Sequence, residues 1–121
     1  MLVIDDASDT FDVKVLVQFN QKNGAVKQGD FMATFKRLPQ DRIDELLDED
    51  AGYTRREVLD EALVSVSGIG RTPSEELPAE QQLDWVKRTP ECVGAAFVAF
   101  LRAMRPERYI EGTSKKRSGR G

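Results

Sequence analysis

Two hydrophobic periods share this chain, and they change over at Pro39. Before it, "FDVKVLVQF" puts Phe11, Val13, Val15, Val17 and Phe19 on one side of an extended backbone and Asp12, Lys14 and Gln18 on the other. That period of two belongs to a strand with one buried face. "FMATFKRL" resumes it through Phe31, Ala33 and Phe35. Two turn signals, Asn23-Gly24 and Gly29, lie between, so the segments predict an antiparallel hairpin. Its second strand starts at Ala25 if Asn23-Gly24 is the tight turn, and near Asp30 if Gly29 closes a longer loop.

After Pro39 the spacing turns helical. "PQDRIDELLDED" sets Ile43, Leu46 and Leu47 on one face, with Pro39 suited to a first turn, and predicts a short helix ending before Gly52. "TRREVLDEALVSVSGIG" opens with Thr54 and Glu57 in capping-box spacing. It then lines Val58, Leu59, Ala62, Leu63 and Val66 along one stripe, which predicts a helix closed by Gly68 and Gly70. Thr72-Pro73-Ser74-Glu75 and Thr89-Pro90-Glu91 repeat the start signal, a capping hydroxyl, a proline and a nearby acid, and predict two further entries into helix. Between them, Leu83 and Val86, with Trp85 beside them, predict a short helix in "PAEQQLDWVKR". A last helix runs from Pro90 to about Arg105, where Pro106 stops it.

The expected fold is therefore α+β, an N-terminal antiparallel β-hairpin packed with about four short helices in a single domain over residues 11–106. Residues 1–10 are expected to be flexible. So is the basic segment 107–121, whose end, "GTSKKRSGRG", has no apolar residue and is expected to be disordered.

The last helix carries the most demanding sequence. From Cys92 to Leu101, ten consecutive residues lack a charge or a strong hydrogen-bonding group. Ten is half of what a bilayer crossing needs, and "MLVIDDASD" turns acidic too early for a signal peptide, so the cytosol is the expected compartment. On a helix Val93, Phe97, Phe100, Leu101 and Met104 share a broad face while Gly94, Ala95, Val98 and Ala99 cover much of the rest. Two arrangements answer this. The helix can be central, gripped by the hairpin and its neighbouring helices, or one side can stay open as a groove for an apolar partner helix. Trp85, Phe97, Phe100, Leu101 and Met104 are the candidate partner-binding residues.

Catalytic chemistry finds little material. The chain has no histidine and one cysteine, which removes the commonest general base and metal ligand and excludes an internal disulfide. "DEDAGYTRREVL" fails as a calcium loop, since its glycine falls one position early and Leu59 stands where a bidentate glutamate belongs. Asp44 and Asp48 sit on the polar face of a charged helix, and Cys92, at a helix start but without a histidine, reads as a buried spectator. The glycines match neither phosphate-binding pattern. No enzyme activity, cofactor or metal is expected.

Charge is uneven. Residues 41–61 hold nine acids against three arginines, and residues 102–121 seven bases against two acids, within a net charge of -3. Lys115, Lys116, Arg117 and Arg120 could contact phosphates, but an acidic body and the lack of a stacking face argue against nucleic acid.

The succession of "VKVLVQF", "FMATFKRL", "EVLDEALVSVSGI", a proline-bearing linker, "LDWVKRTPECVGAAFVAFLRAM" and a basic tail resembles the tail assembly chaperones of long-tailed bacteriophages, from about Phe11 to Met104. The resemblance implies a non-enzymatic protein of the host cytoplasm, absent from the mature virion, that holds the tape measure protein soluble and helps recruit tail tube protein. Self-association remains compatible with it, and no membrane contact is implied. Two rivals stand beside it: a structural minor tail or head-tail component, and a small nucleic-acid-binding regulator working through the basic tail.

Overall fold

A computed structural model describes residues 1–104. The fold is α+β. The alternating segments form β1 (Thr10–Asn20) and β2 (Val26–Lys36), paired antiparallel from Thr10↔Lys36 to Asn20↔Val26. The connection lies at Asn23-Gly24 rather than Gly29, but as a three-residue loop, Lys22, Asn23 and Gly24, closed by the Gln21–Ala25 pair instead of a two-residue turn. Gly24 adopts φ 84° there, a left-handed conformation that a glycine reaches without steric penalty, and the Asn23 side chain accepts from the Ala25 N–H at 3.1 Å.

α1 (Gln40–Leu46) follows, with Pro39 as its N-cap and Ile43 and Leu46 buried. A 3-10 turn, Glu49–Ala51, then leads to α2 (Arg55–Ala62). The Thr54–Glu57 capping box forms in full: the Glu57 N–H donates to Thr54 Oγ1 at 3.1 Å and the Thr54 N–H to Glu57 Oε1 at 2.9 Å.

Two expectations fail next. The helix stops at Ala62, and Leu63–Ser67 is a third strand, β3, added antiparallel to β2 in a sheet of order β1-β2-β3. Val64 is the irregularity. Phe35 faces Leu63 and Thr34 faces Ser65, so Val64 is an extra residue that lets Leu63 and Val66 both reach the buried face. Secondly, Thr72-Pro73-Ser74-Glu75 starts no helix. It is the turn between β4 (Gly70–Thr72) and β5 (Glu75–Glu76), a miniature hairpin with proline at the second turn position. Gly70 is required by packing, because a Cβ there would collide with the Glu75 carbonyl.

α3 (Ala79–Arg88) and α4 (Pro90–Met104) end the described chain as the sequence predicts. The helices lie on one face of the sheet, where Val15, Val17, Phe31, Ala33 and Phe35 meet Val58, Leu59, Val86, Ala96 and Phe100 in one core. Phe35 anchors it, with ring centroids 5.2 Å from Phe100 and 5.9 Å from Phe11. The outer face is mostly polar, with Leu16, Val26, Met32 and the bulge residue Val64 as its exposed apolar side chains. At the N-terminus, Ile4–Asp6 forms a 3-10 turn, and Arg37 ties the next residues to the sheet through the Ser8 carbonyl at 2.7 Å and the Asp9 carbonyl at 2.8 Å. Hydrogen bonding to the sheet thus begins at Ser8. The basic segment 107–121 lies outside the described residues.

Candidate functional site

Burial divides α4 more sharply than its composition does. Cys92, Ala96 and Phe100, one turn apart, form the stripe sealed against the core. Val93, Ala95, Phe97, Ala99 and Met104 flank it half-buried, and Val98 on the far side is 40% exposed. The helix is thus apolar around most of its girth and covered on part of it.

The uncovered part floors a groove of about 670 Å³ between α4 and the open side of β1. Gly94, Ala95, Val98 and Ala99 form the helical wall, and Val13 and Leu16 the strand wall. Arg55, from the first turn of α2, crosses one end. Its guanidinium lies 5.3 Å from the Phe97 ring centroid and a terminal nitrogen lies 3.6 Å from where a Gly94 Cβ would stand. Small residues on this wall let another backbone come close, and the guanidinium caps an aromatic face that would otherwise meet water.

β1 also leaves main-chain groups open. The Arg37 N–H donates to the Asp9 carbonyl at 2.8 Å and the Gln21 N–H to the Ala25 carbonyl at 2.7 Å, both continuing the β1–β2 register. In an antiparallel ladder such pairs alternate, so odd-numbered residues of β1 bond to β2. Asp12, Lys14, Leu16 and Gln18 therefore direct their backbone groups to the unpaired edge.

The predicted partner residues do not form one surface. Phe100 is a correction: it is 0% exposed, packed on Phe35, and belongs to the core because the i, i+4 stripe of Cys92 and Ala96 sets which face turns inward. Phe97, Leu101 and Met104 are half-buried. Trp85 is 42% exposed but contacts Phe19, at 6.3 Å between centroids, near the end of β1 opposite Phe11. Phe100 lies over the Phe35–Phe11 end, so Trp85 and Met104 are separated by most of the strand's length. The residues missed are Leu16, Arg55 and the small residues of α4. For the small residues the signal was the side of α4 opposite its large side chains; Leu16 and Arg55 carry no such local signal.

The Cys92 thiol is buried, and desolvation, with Glu91 nearby, pushes its pKa up to about 11. Among the described residues no cluster of histidine, cysteine or carboxylates could hold a metal, and no helix is long and apolar enough to cross a membrane. Lys115, Lys116, Arg117 and Arg120 lie outside the described residues. Compared with protein-family models, characterised proteins and solved structures, the chain matches none.

Proposed function

We propose that this chain works by binding, as an assembly chaperone that covers an apolar helical stripe of a long partner until other subunits take its place. The observation that carries this is the α4–β1 groove, an open, small-walled, apolar furrow at the edge of the sheet. A helix laid in it would bury Val98 and the exposed sides of Ala95 and Ala99, removing from water apolar area that the chain's own fold leaves open. The order of segments resembling phage tail assembly chaperones names the partner, a tape measure protein, with tail tube protein recruited afterwards.

Co-expression tests it. The chain should keep the tape measure protein of its own genome in the soluble fraction, and Val98→Asp should abolish this without shifting the thermal melt, since Val98 has little packing to lose. Unchanged solubilisation by that variant would remove the groove from the function. Mass analysis of purified particles separates the structural rival, because a chaperone is absent from the finished tail.

A further inference from the structure

The charges along the groove's walls define the chemistry of its occupant, given the binding role proposed above, on which this inference rests. Besides its apolar residues the groove is lined by Lys14, Arg55 and Arg102, with no carboxylate. A second furrow continues it past the start of α4, sharing Arg55 and Gly94, and adds Arg56, Lys87 and Arg88, again with no carboxylate. Six cations thus follow one side of α4 on a chain whose net charge is -3.

Several of them have acids behind them. Lys14 stands 3.7 Å from Asp30, Lys87 3.3 Å from Asp60 and Arg88 2.9 Å from Asp84. None of those acids lines either of these two furrows, although Asp84 lines a third one beside α3 with Arg88, so the cationic excess an incoming chain meets rests chiefly on Arg55 and Arg56. Arg55 and Arg56 make no ion pair among the described residues, and they concentrate the excess where the two furrows join.

A second copy is a poor occupant, because it would bring the same cations face to face. Nucleic acid fits less well than a peptide: the floor is Gly94, Ala95, Val98 and Ala99, no aromatic ring lines either furrow, and the Phe97 ring is covered by Arg55. We propose that the occupant is an acid-flanked amphipathic helix. Its apolar stripe lies along Ala95, Val98 and Ala99, and its glutamates or aspartates face Arg55 and Arg56.

Two synthetic helical peptides of about four turns, matching the length of α4, provide the test. Both carry the same leucine and alanine stripe, one flanked by glutamates and one by lysines, and each is titrated with the full chain by fluorescence anisotropy. The glutamate peptide should bind roughly tenfold or more tighter, with the preference shrinking as salt is raised. Arg55→Glu with Arg56→Glu should erase the preference. Acids are well tolerated in a helix's first turn, and an unchanged circular dichroism melt verifies the fold. Equal affinity for both peptides, weakened alike by Val98→Asp, would overturn the acidic occupant while leaving the groove as a docking site. Binding of neither peptide would overturn the acidic helix, and co-expression would then judge the chaperone role separately. Tighter binding of single-stranded oligo-dT than of the glutamate peptide would assign the cations to nucleic acid instead.

Discussion

Gln82 is the one buried polar side chain among the described residues, and its amide is fully occupied. Oε1 accepts from the Ile69 N–H at 3.0 Å, while Nε2 donates to the Leu77 carbonyl at 2.5 Å and to Glu76 Oε2 at 3.1 Å. One side chain thereby fastens the β4–β5 hairpin to α3. Gln82→Leu strands a partly buried donor, the Ile69 N–H, and a partly buried acceptor, the Leu77 carbonyl, so urea denaturation should show a loss of about 1 to 3 kcal/mol. Glu76 belongs to the same knot. The Gly68 N–H, at 2.9 Å, and then the Gln82 amide hold its carboxyl below the usual carboxylate range. A carboxyl depressed by folding stabilises at pH values above its ordinary titration, and that contribution is lost as pH falls through the lowered folded value. Glu76→Gln should therefore be less stable than the parent at pH 7, and the gap between their urea midpoints should narrow as pH falls below about 4. Cys92 gives a third check. With its thiol raised to about 11 and sealed in the core, it should resist dithionitrobenzoate in the native protein at pH 8 and react at once in denaturant. Prompt labelling of folded protein would show that the core opens around α4.

Among the elements, the first hairpin and the helix starts were legible because local chemistry fixed them. Alternation set the β1–β2 pairing, Asn23-Gly24 supplied its turn, and the Thr54–Glu57 box opened α2. Thr54→Ala, which frees the Glu57 N–H, should lower stability by about 1 kcal/mol in the same urea assay. β3 was illegible for a physical reason. Leu63 and Val66 stand three apart, which is helical spacing, and only the extra residue Val64 lets a strand bury both. No window of sequence distinguishes a bulged strand from a helical turn; pairing with β2, some thirty residues earlier, decides. Thr72-Pro73-Ser74-Glu75 misled for a related reason, since a hydroxyl, a proline and an acid suit a tight turn as well as a helix start. What separates them is the collapse of the segment onto Gly70 and Gln82, a tertiary event. The face of α4 was half legible. Its apolar girth is plain in the sequence, but the large side chains pointed to Phe100 as surface, whereas the small residues opposite are what the fold leaves open.

At the scale of the molecule, the same strand that walls the groove is a hazard. β1 is eleven residues long and lies at the sheet edge, its even-numbered backbone groups unpaired, with Val13, Val15 and Val17 close behind. Long apolar edges recruit other edges, and charge on the edge is the usual protection. Lys14 stands near the middle of this edge, 63% exposed, inside the run "FDVKVLVQF". Replacing it with valine would leave the strand without a charge from Val13 to its end, a segment of high β-propensity. Lys14→Val should therefore aggregate on mild heating, with light scattering and thioflavin fluorescence rising together, while thermal stability at high dilution stays near that of the parent. Lys14→Glu separates the two roles of this position. It loses the attraction to Asp30 yet keeps a charge on the edge, so it should resist aggregation as the parent does, and it should weaken the hold on an acid-flanked helix in the groove. A Lys14→Glu protein that aggregates as readily as Lys14→Val would show that the ion pair with Asp30, rather than charge as such, keeps the edge of β1 apart from its own copies.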